Sequence, residues 1–336
     1  MGSSDSFREV GTRVALLAVA RRARAWYHAF TRGYNQPPVP ELPDLAILAD
    51  ALHAGLAGRP FEAGATPQSL VMRGTPAELG ALKGQAVRGV QRRGKFLTLD
   101  LERDRIVINP MLTGRLGLAV PGAPPLPQTA AVLTFGPRSH HLNVDAPAGA
   151  SPQVAEWLRQ ATWLPAQNEP VELRYRDATR MGKIYLLPAG VERPVAGWEQ
   201  QGPDANDPAL TLDEWRARIR THGGELKNLL RNQAFVAGIG NAYSDEILWA
   251  AQLAPFRNRR SLASEEVDCL FLATRSVLGW AIGELRQRVP PRLEVEQRGF
   301  LRVHRKGGTA CPRCGRTLSE VSAGGFVTTW CRGCQQ

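Results

Sequence analysis

The chain has 336 residues, which is long enough for two domains that each bury a core. Its 43% apolar and 22% charged residues are typical of a soluble globular protein, and no apolar run approaches the roughly 20 residues that span a bilayer, so we expect no membrane association. A formal net charge of +11 suits a polyanionic partner, although this excess alone does not identify nucleic acid.

The first 38 residues differ in composition from the rest of the chain, with six arginines, two acidic residues and the ending Asn35-Gln-Pro-Pro38. An amphipathic helix is then predicted to begin at Glu41, with Asp44 in its first turn, and to end at residues 58–60. Its apolar positions repeat with helical spacing and comprise Leu45, Leu48, Ala49, Leu52 and Leu56.

Runs of apolar and alternating residues predict strands in the next part of the chain. The predicted strands are 86–90, 96–101, 105–108, 131–135, 172–176 and 183–187. Loops rich in Pro, Gly and Ala separate some of them, at 121–127 and 145–152. The pattern predicts a mixed, mainly β domain that ends at a polar linker, residues 201–208.

Helices are predicted after the linker, at 212–220, 225–232, 242–251 and 264–287. The turn before the third helix contains Gly238, Gly240 and Asn241, and Lys227 lies in the helix before it. Glycines allow close backbone approach, Asn can cap a helix, and N–H groups at a helix N-terminus bind phosphate. The turn therefore indicates a clamp on a phosphate backbone, whereas for an isolated Gly-x-Gly a plain turn would be favoured.

Four of the five cysteines lie near the end of the chain, in two pairs that are each spaced as Cys-x-x-Cys, with sixteen residues between the pairs: Cys311, Cys314, Cys331 and Cys334. This spacing is typical of a structural Zn²⁺ site on a β-hairpin, closed by four thiolates. Two disulfides are the alternative, but they require an oxidising compartment, and no secretory signal is recognisable. The fifth, Cys269, is predicted to be a buried helix residue without a chemical role.

Three segments resemble the formamidopyrimidine-DNA glycosylase / endonuclease VIII family: residues 40–44, 226–248 and the C-terminal cysteine segment. The resemblance implies an α+β multidomain fold. It would have an N-terminal β-sandwich-type domain (39–200), a helix–two-turns–helix domain (201–290) and a zinc-finger hairpin (291–336). It also implies damaged double-stranded DNA as the partner, one structural Zn²⁺, and base excision repair in a bacterial cytoplasm, at the nucleoid. We expect a monomer.

The resemblance implies catalytic roles for three residues. Pro40 matches the family's N-terminal proline, whose secondary amine attacks C1′ of the damaged nucleotide, and elimination of the 3′ phosphate then nicks the strand. Glu41 matches a glutamate that does acid–base work at the sugar. Lys95 resembles the lysine that holds the lesion phosphates, and a solvated lysine at a strand end is its alternative.

Five further residues are expected to contact DNA. Met111 resembles the methionine that fills the gap left by a flipped base, although a core methionine is the alternative. The phosphate contacts implied are Arg180, Lys227 and Asn241. Phe326 lies where the family usually has an arginine on the lesion phosphate.

The chain departs from the family at other positions too. Thr179 replaces the arginine that reads the orphaned base, Met181 replaces a wedging phenylalanine, and Asp44 replaces a glutamate. Residues 287–304 are short for the loop that caps 8-oxoguanine, which favours oxidised pyrimidines as substrates.

An internal Pro40 cannot act as an amine nucleophile, because its nitrogen belongs to a peptide bond. We interpret residues 1–38 as untranslated sequence before a GTG start codon at Val39, with a processed extension as the alternative. Two functions remain. One is a bifunctional glycosylase and lyase, which Glu41 and Lys95 favour. The other is a damaged-DNA-binding protein without activity, which Thr179, Phe326 and the internal Pro40 favour. A zinc-ribbon interaction module would not explain the N-terminal motif.

Overall fold

Two β-sheets form the first half of the chain in a computed structural model that describes residues 39–138 and 151–336. The predicted extension, residues 1–38, lies outside the described residues. The strands of this half are β1 Phe61–Ala65, β2 Met72–Arg73, β3 Val87–Arg93, β4 Phe96–Leu101, β5 Arg105–Asn109, β6 Gly114–Ala119, β7 Thr129–Phe135, β8 Val171–Asp177 and β9 Lys183–Leu187. One sheet has the order β1–β7–β8–β6 and is antiparallel, and the other has the order β2–β9–β5–β4–β3, in which only β2 and β9 are parallel.

Both sheets contribute apolar side chains to one core, as a sandwich requires. Alternate residues of β7 and β8, such as Leu133 and Leu173, meet there side by side in the same register. Strand β4 is buried on both faces, because Phe96 packs on the opposite side with Val107 and Tyr185. The sheet arrangement therefore confirms the predicted mainly β first half.

Helix α1, Leu42–Leu56, is buried on almost every side, with 11 of its 15 residues inaccessible. It packs against β3, β4 and β6. The helix therefore buries more of its surface than the single apolar face that was predicted. Ile47 and Ala51, which lie outside that predicted face, are apolar and fully buried. Two short helices complete this half, α2 Pro76–Ala81 and α3 Pro152–Arg159.

The second half contains helices at the four predicted places: α4 Leu212–Thr221, α5 Leu226–Arg231, α6 Asn241–Ala250 and α7 Ser264–Arg288. They enclose a second core around Trp215, Phe235 and Tyr243. Leu42, the first residue of α1, belongs to this second core, whereas Leu45 and the residues after it belong to the first. The start of α1 therefore lies at the junction of the two cores.

A β-hairpin follows near the C-terminus, with β10 Ser319–Ala323 and β11 Phe326–Trp330 paired antiparallel. Its two-residue turn, Gly324-Gly325, has positive φ at both positions, as a tight hairpin requires. The hairpin has a small core of its own, formed mainly by Trp249, Val303 and Leu318 with the cysteines.

Other sequence predictions need correction as well. The predicted strands omit β1, β2 and β6. In β6, Gly114 and Gly117 interrupt the apolar pattern. Gly114 is required by packing, since a Cβ there would lie 2.4 Å from the Tyr175 hydroxyl. Cys269 is exposed on α7 rather than buried. No helix in the described ranges is long and apolar enough to cross a membrane.

Candidate functional site

The carboxylate of Glu41 is buried at the N-terminus of α6, although the two lie about 200 residues apart in sequence. Its oxygens accept hydrogen bonds from the backbone N–H groups of Gly240 at 2.6 Å, Ala242 at 2.8 Å and Tyr243 at 3.3 Å. Unpaired N–H groups and the helix dipole attract an anion at such a terminus. The anion site predicted from the glycine turn exists, but a side chain of the protein fills it, not a phosphate.

The glycine turn provides the room that this arrangement needs. A Cβ on Gly240 would lie 2.4 Å from the Glu41 carboxyl carbon, and one on Gly238 would lie 2.7 Å from Leu42. Gly238 also has φ near +99°, and its carbonyl accepts a hydrogen bond from the Leu42 N–H at 2.9 Å. Asn241 is the first residue of α6 and makes no capping bond, so the predicted capping role is wrong.

A buried ion pair holds the first turn of α1 from the other side. Arg298 donates to both oxygens of Asp44, at 2.8 and 2.7 Å, to the Tyr243 hydroxyl at 3.0 Å and to the Val39 carbonyl at 3.0 Å. Asp44 also accepts the Glu41 N–H at 2.8 Å. Sequence reasoning missed Arg298, because it lies 254 residues after Asp44 in a segment with no motif.

Lys95, in the turn between β3 and β4, is half-buried beside these groups. Burial lowers its pKa, and the charges of Arg231 and Arg298 act in the same direction. The charges of Glu41 and Asp44 oppose them. Lys95 is therefore part of a cluster of charges at the start of α1, and not an isolated solvated lysine.

A cavity of about 530 Å³ opens in front of this cluster. Its walls include Pro40, Lys95 and Met111 together with residues that follow α5, such as Gln233. Met111 has φ near +51° and is 39% exposed, so it is not a core methionine. The structure thus places three predicted functional residues, from three separate elements, around one opening.

The loops after β5 and β8 lie side by side near this opening, since β6 pairs with β8 and β5 with β9. Thr179 donates its N–H to the Thr113 hydroxyl at 3.1 Å, and both hydroxyls bond to the buried Asp177. Its polar groups are therefore engaged within the protein. Arg180 and Met181 are exposed, as Thr179 is, and Arg180 has φ near +57°.

The four C-terminal cysteines converge, with all of their sulfur atoms within 4.8 Å of one another. Cys311 and Cys334 are 3.9 Å apart, and Cys314 and Cys331 are 3.5 Å apart. These separations exceed the roughly 2.05 Å of a disulfide bond and match sulfur atoms arranged tetrahedrally about one metal ion. Trp249 donates its indole N–H to the Cys311 sulfur at 3.4 Å, which ties the knuckle to α6.

Three predicted DNA-binding residues meet at the hairpin. The carbonyl of Val327 accepts hydrogen bonds from Lys227 at 2.6 Å and from Asn241 at 2.8 Å. Lys227 is buried and also pairs with Asp245 at 2.6 Å. The prediction of Lys227 as an open phosphate contact is therefore corrected to a tie between α5, α6 and β11. Phe326, the first residue of β11, is 44% exposed.

Two further carboxylates of α6 fasten the segment that leads into the hairpin. Glu246 accepts the backbone N–H groups of Arg302, Val303 and His304 at 2.8 to 2.9 Å. Asp245 pairs with the His304 imidazole at 2.7 Å. Helix α6 is therefore bonded at its N-terminus to Glu41, which precedes α1, and farther along to the hairpin module, residues 302–336, which contains the four cysteines and strands β10 and β11.

Two family models match this chain. The formamidopyrimidine-DNA glycosylase N-terminal domain matches residues 39–184, and the formamidopyrimidine-DNA glycosylase H2TH domain matches residues 201–288. Together these ranges cover more than half of the chain and include both halves of the site.

Similar proteins extend the match to almost their full length. A formamidopyrimidine-DNA glycosylase of Thermomicrobium roseum is 31% identical, over 88% of this chain and 99% of its own. One of Stenotrophomonas maltophilia is 29% identical, over 89% and 100%. The crystal structure of the MutM (Fpg) protein of Thermus thermophilus has a TM-score of 0.68 at 27% identity, over 88% and 98%. A complex of the Lactococcus lactis Fpg protein with an abasic-site-containing DNA shares the fold, with a TM-score of 0.71 at 22% identity, over 88% and 99%.

Proposed function

This chain belongs to the formamidopyrimidine-DNA glycosylase / endonuclease VIII family, and from that membership we propose that it is a bifunctional DNA glycosylase and AP lyase of base excision repair. The observation that carries the proposal is the meeting of Pro40, Glu41 and Lys95 beside one cavity at the junction of the two cores. The relatives of known name are DNA glycosylases, which supports the same reaction class.

The proposed reaction uses the Pro40 nitrogen as a secondary amine. The nitrogen forms a bond to C1′ of the damaged nucleotide as the bond from C1′ to the base breaks, and the departing base takes up a proton. The nitrogen then loses its own proton, and its lone pair opens the sugar ring as a proton is delivered to the ring oxygen, which leaves an iminium. Loss of a C2′ proton then expels the 3′ phosphate and nicks the strand.

Glu41 is the group that we propose for the proton transfer at the sugar. Its carboxylate is fixed by three backbone N–H groups, directly after Pro40 in the chain. A carboxylate held in one position can take up the proton that the Pro40 nitrogen loses and pass it to the ring oxygen at little reorganisation cost. The ammonium of Lys95 lies on the cavity wall and would hold a phosphate of the lesion strand there.

The reaction requires a free amine at Pro40, whereas in the full chain this nitrogen is in a peptide bond to Val39. We propose that the active form begins at Pro40, after translation from Val39 as methionine and removal of that methionine. The family match that begins at residue 39 supports this start. Cleavage of a longer chain at the same bond would give the same N-terminus.

The remaining parts of the proposal concern DNA and metal. We propose that one Zn²⁺ is held by Cys311, Cys314, Cys331 and Cys334, whose tetrahedral sulfur spacing fits this ion. The metal would stabilise the hairpin and take no part in the chemistry. Exposed Met111 and Arg180 would enter and flank the damaged duplex. The preference for oxidised pyrimidines, which rests on the short segment 287–304 alone, stays a prediction.

A borohydride trapping experiment tests the nucleophile. Protein begun with methionine in place of Val39 is compared with the unprocessed 336-residue chain, each mixed with duplex containing an abasic site. We expect a covalent adduct on Pro40, mapped by peptide mass spectrometry, only for the shortened protein. An equal yield from both would move the nucleophile to another amine, with Lys95 examined first. Adducts from neither would favour a damaged-DNA-binding protein without activity.

A further inference from the structure

The side chain of Arg231 crosses from the end of α5 to the tip of the hairpin. Its guanidinium carbon lies 3.7 Å from the centre of the Phe326 ring. A planar guanidinium stacks on an aromatic face, and its N–H groups point outward in the plane of the guanidinium. Phe326 therefore fixes the position of the guanidinium and leaves its hydrogen-bonding edge open.

The guanidinium of Arg231 has no acceptor among residues 39–138 and 151–336, although it is half-buried. Arg298, by contrast, donates from both terminal nitrogens to Asp44, Tyr243 and Val39, and only its buried Nε lacks an acceptor among the described residues. Five N–H donors in a fork without an acceptor suit a phosphate, which accepts two of them at once. The stacked geometry thus indicates an anionic ligand.

The charges around Arg231 place this ligand at the site already described. Burial lowers the pKa of Arg231, and the charges of Glu41 and Asp245 oppose that effect. The charge of Arg231 in turn lowers the pKa of Lys95, so the two cations are near enough for their charges to act on each other. The residues after Arg231, among them Asn232, line the cavity that Pro40 and Lys95 share. A phosphodiester next to the lesion would lie between these two cations.

We propose that Arg231 binds a backbone phosphate flanking the lesion, with Phe326 as the platform that orients it. The inference rests on the proposed function. It also explains the departure at Phe326: the cation that the family carries on the hairpin is here supplied by α5, and the hairpin supplies the ring beneath it.

The test measures binding of full-length, zinc-loaded protein to a duplex with a tetrahydrofuran abasic analogue, by fluorescence anisotropy over a range of salt concentrations. The variants are R231Q, F326L and the exchange R231Q/F326R. The matched control is R103Q, an exposed arginine at the far end of β4, about 20 Å along the strand from Lys95. Each charge variant removes one positive charge, and the exchange restores it on the hairpin.

We expect R231Q to bind roughly tenfold more weakly at moderate salt, with the slope of log affinity against log salt reduced by about one. F326L should weaken binding less, since the charge remains, and R231Q/F326R should recover both affinity and slope. R103Q should change affinity by no more than about twofold and leave the salt slope unchanged, because Arg103 lies too far from the site to contact the bound phosphate.

Two results would overturn the inference in distinguishable ways. If wild-type protein prefers the abasic duplex but R231Q matches R103Q in affinity and slope, Arg231 is not a phosphate ligand and the proposed function stands. If wild-type protein binds abasic and intact duplex equally, the proposed function and this inference both fail. F326L does not alter α5, so it tests the aromatic platform independently of R231Q. If both variants bind with wild-type affinity, Phe326 does not orient a phosphate-binding Arg231, even if one of the variants is less stable.

Discussion

Two buried carboxylates that contact or belong to α6 make nearly the same hydrogen bonds. Glu41 accepts three backbone N–H groups at the N-terminus of the helix, and Glu246, within the helix, accepts three from residues 302–304. Each is about 1% exposed. Bonding alone therefore cannot tell a reactive carboxylate from a structural one.

Their surroundings differ. Glu41 directly follows Pro40, which lines the cavity, and the charge of Glu41 acts on the nearby cations Lys95 and Arg231. Glu246 faces the backbone that leads into the hairpin. In both places, one carboxylate that accepts three backbone N–H groups joins two segments of the chain. Only at Glu41 is the carboxylate also next to a residue, Pro40, that lines a cavity large enough for substrate.

The first prediction separates these two roles. Glu41→Gln puts an amide N–H₂ against backbone donors, as Glu246→Gln does, so each should cost about 1–3 kcal/mol of folding free energy, measured by urea unfolding. Single-turnover base removal from a damaged duplex should fall by about 10²–10⁴ for Glu41→Gln and by no more than a few-fold for Glu246→Gln.

Abasic-site trapping provides the control within the same variants. Glu41→Gln should retain part of its trapping yield, because no base has to leave from an abasic site. Equal losses of base removal in both variants would mean that Glu41, like Glu246, only holds the fold together.

The second prediction concerns the hairpin module. Cys331→Ser should release the metal, and the hairpin core is too small to fold without it. The Val327 carbonyl then leaves Lys227 and Asn241, so affinity for damaged duplex should fall by roughly 100-fold while the β-sandwich remains folded. Anisotropy and circular dichroism measure these effects, and metal analysis of wild-type protein should give one Zn²⁺ per chain.

Cys269→Ser is the matched control for the loss of a thiol, because Cys269 is exposed on α7 and distant in sequence from the four ligands. It should leave metal content and affinity unchanged. Normal DNA binding by metal-free wild-type protein would contradict the proposed role of the zinc site.

Local patterns in the sequence predicted much of this structure. Strands β4 and β9 and the helices of the second half lie where apolar periodicity places them, and cysteine spacing predicted the sulfur cluster. The motifs also named the residues that meet at the cavity. The roles of these residues in catalysis and DNA contact, and the three domain boundaries, stay predictions.

Long-range partners were not predictable in this way. The ligands of Glu41 are backbone N–H groups about 200 residues away, which no side-chain pattern encodes. Arg298 belongs to no motif, and Arg231 lies in the 226–248 segment without matching a residue of known role. Their importance follows from the fold, which brings them to Asp44 and Phe326. Lys227 was recognised in its motif, but its burial depends on the hairpin that packs over it.

A third buried carboxylate, Glu296, lacks amide donors. Neither oxygen of Glu296 accepts a hydrogen bond from the described residues, although it pairs with Arg115 at 3.1 Å. Burial, reinforced by the charge of Asp44, raises the pKa of Glu296 from 4.5 to about 8. The folded protein therefore holds this proton more tightly than the unfolded chain does. The stabilisation is fully present below pH 4.5 and is lost as the pH rises through about 8.

Urea midpoints between about pH 5.5 and 9 should fall for wild-type protein and change less for Glu296→Gln, which cannot ionise. Glu284→Gln, which alters a solvent-accessible pair with Arg288 on α7, should follow the wild-type profile. The effect on activity at neutral pH should be the smallest of the three, because Glu296 lies behind Asp44 and Pro40 in a cavity of only about 30 Å³, too small for a nucleotide. Parallel pH profiles for wild-type protein and Glu296→Gln would mean that Arg115 keeps the carboxylate ionised, and that a single cation can replace three amides.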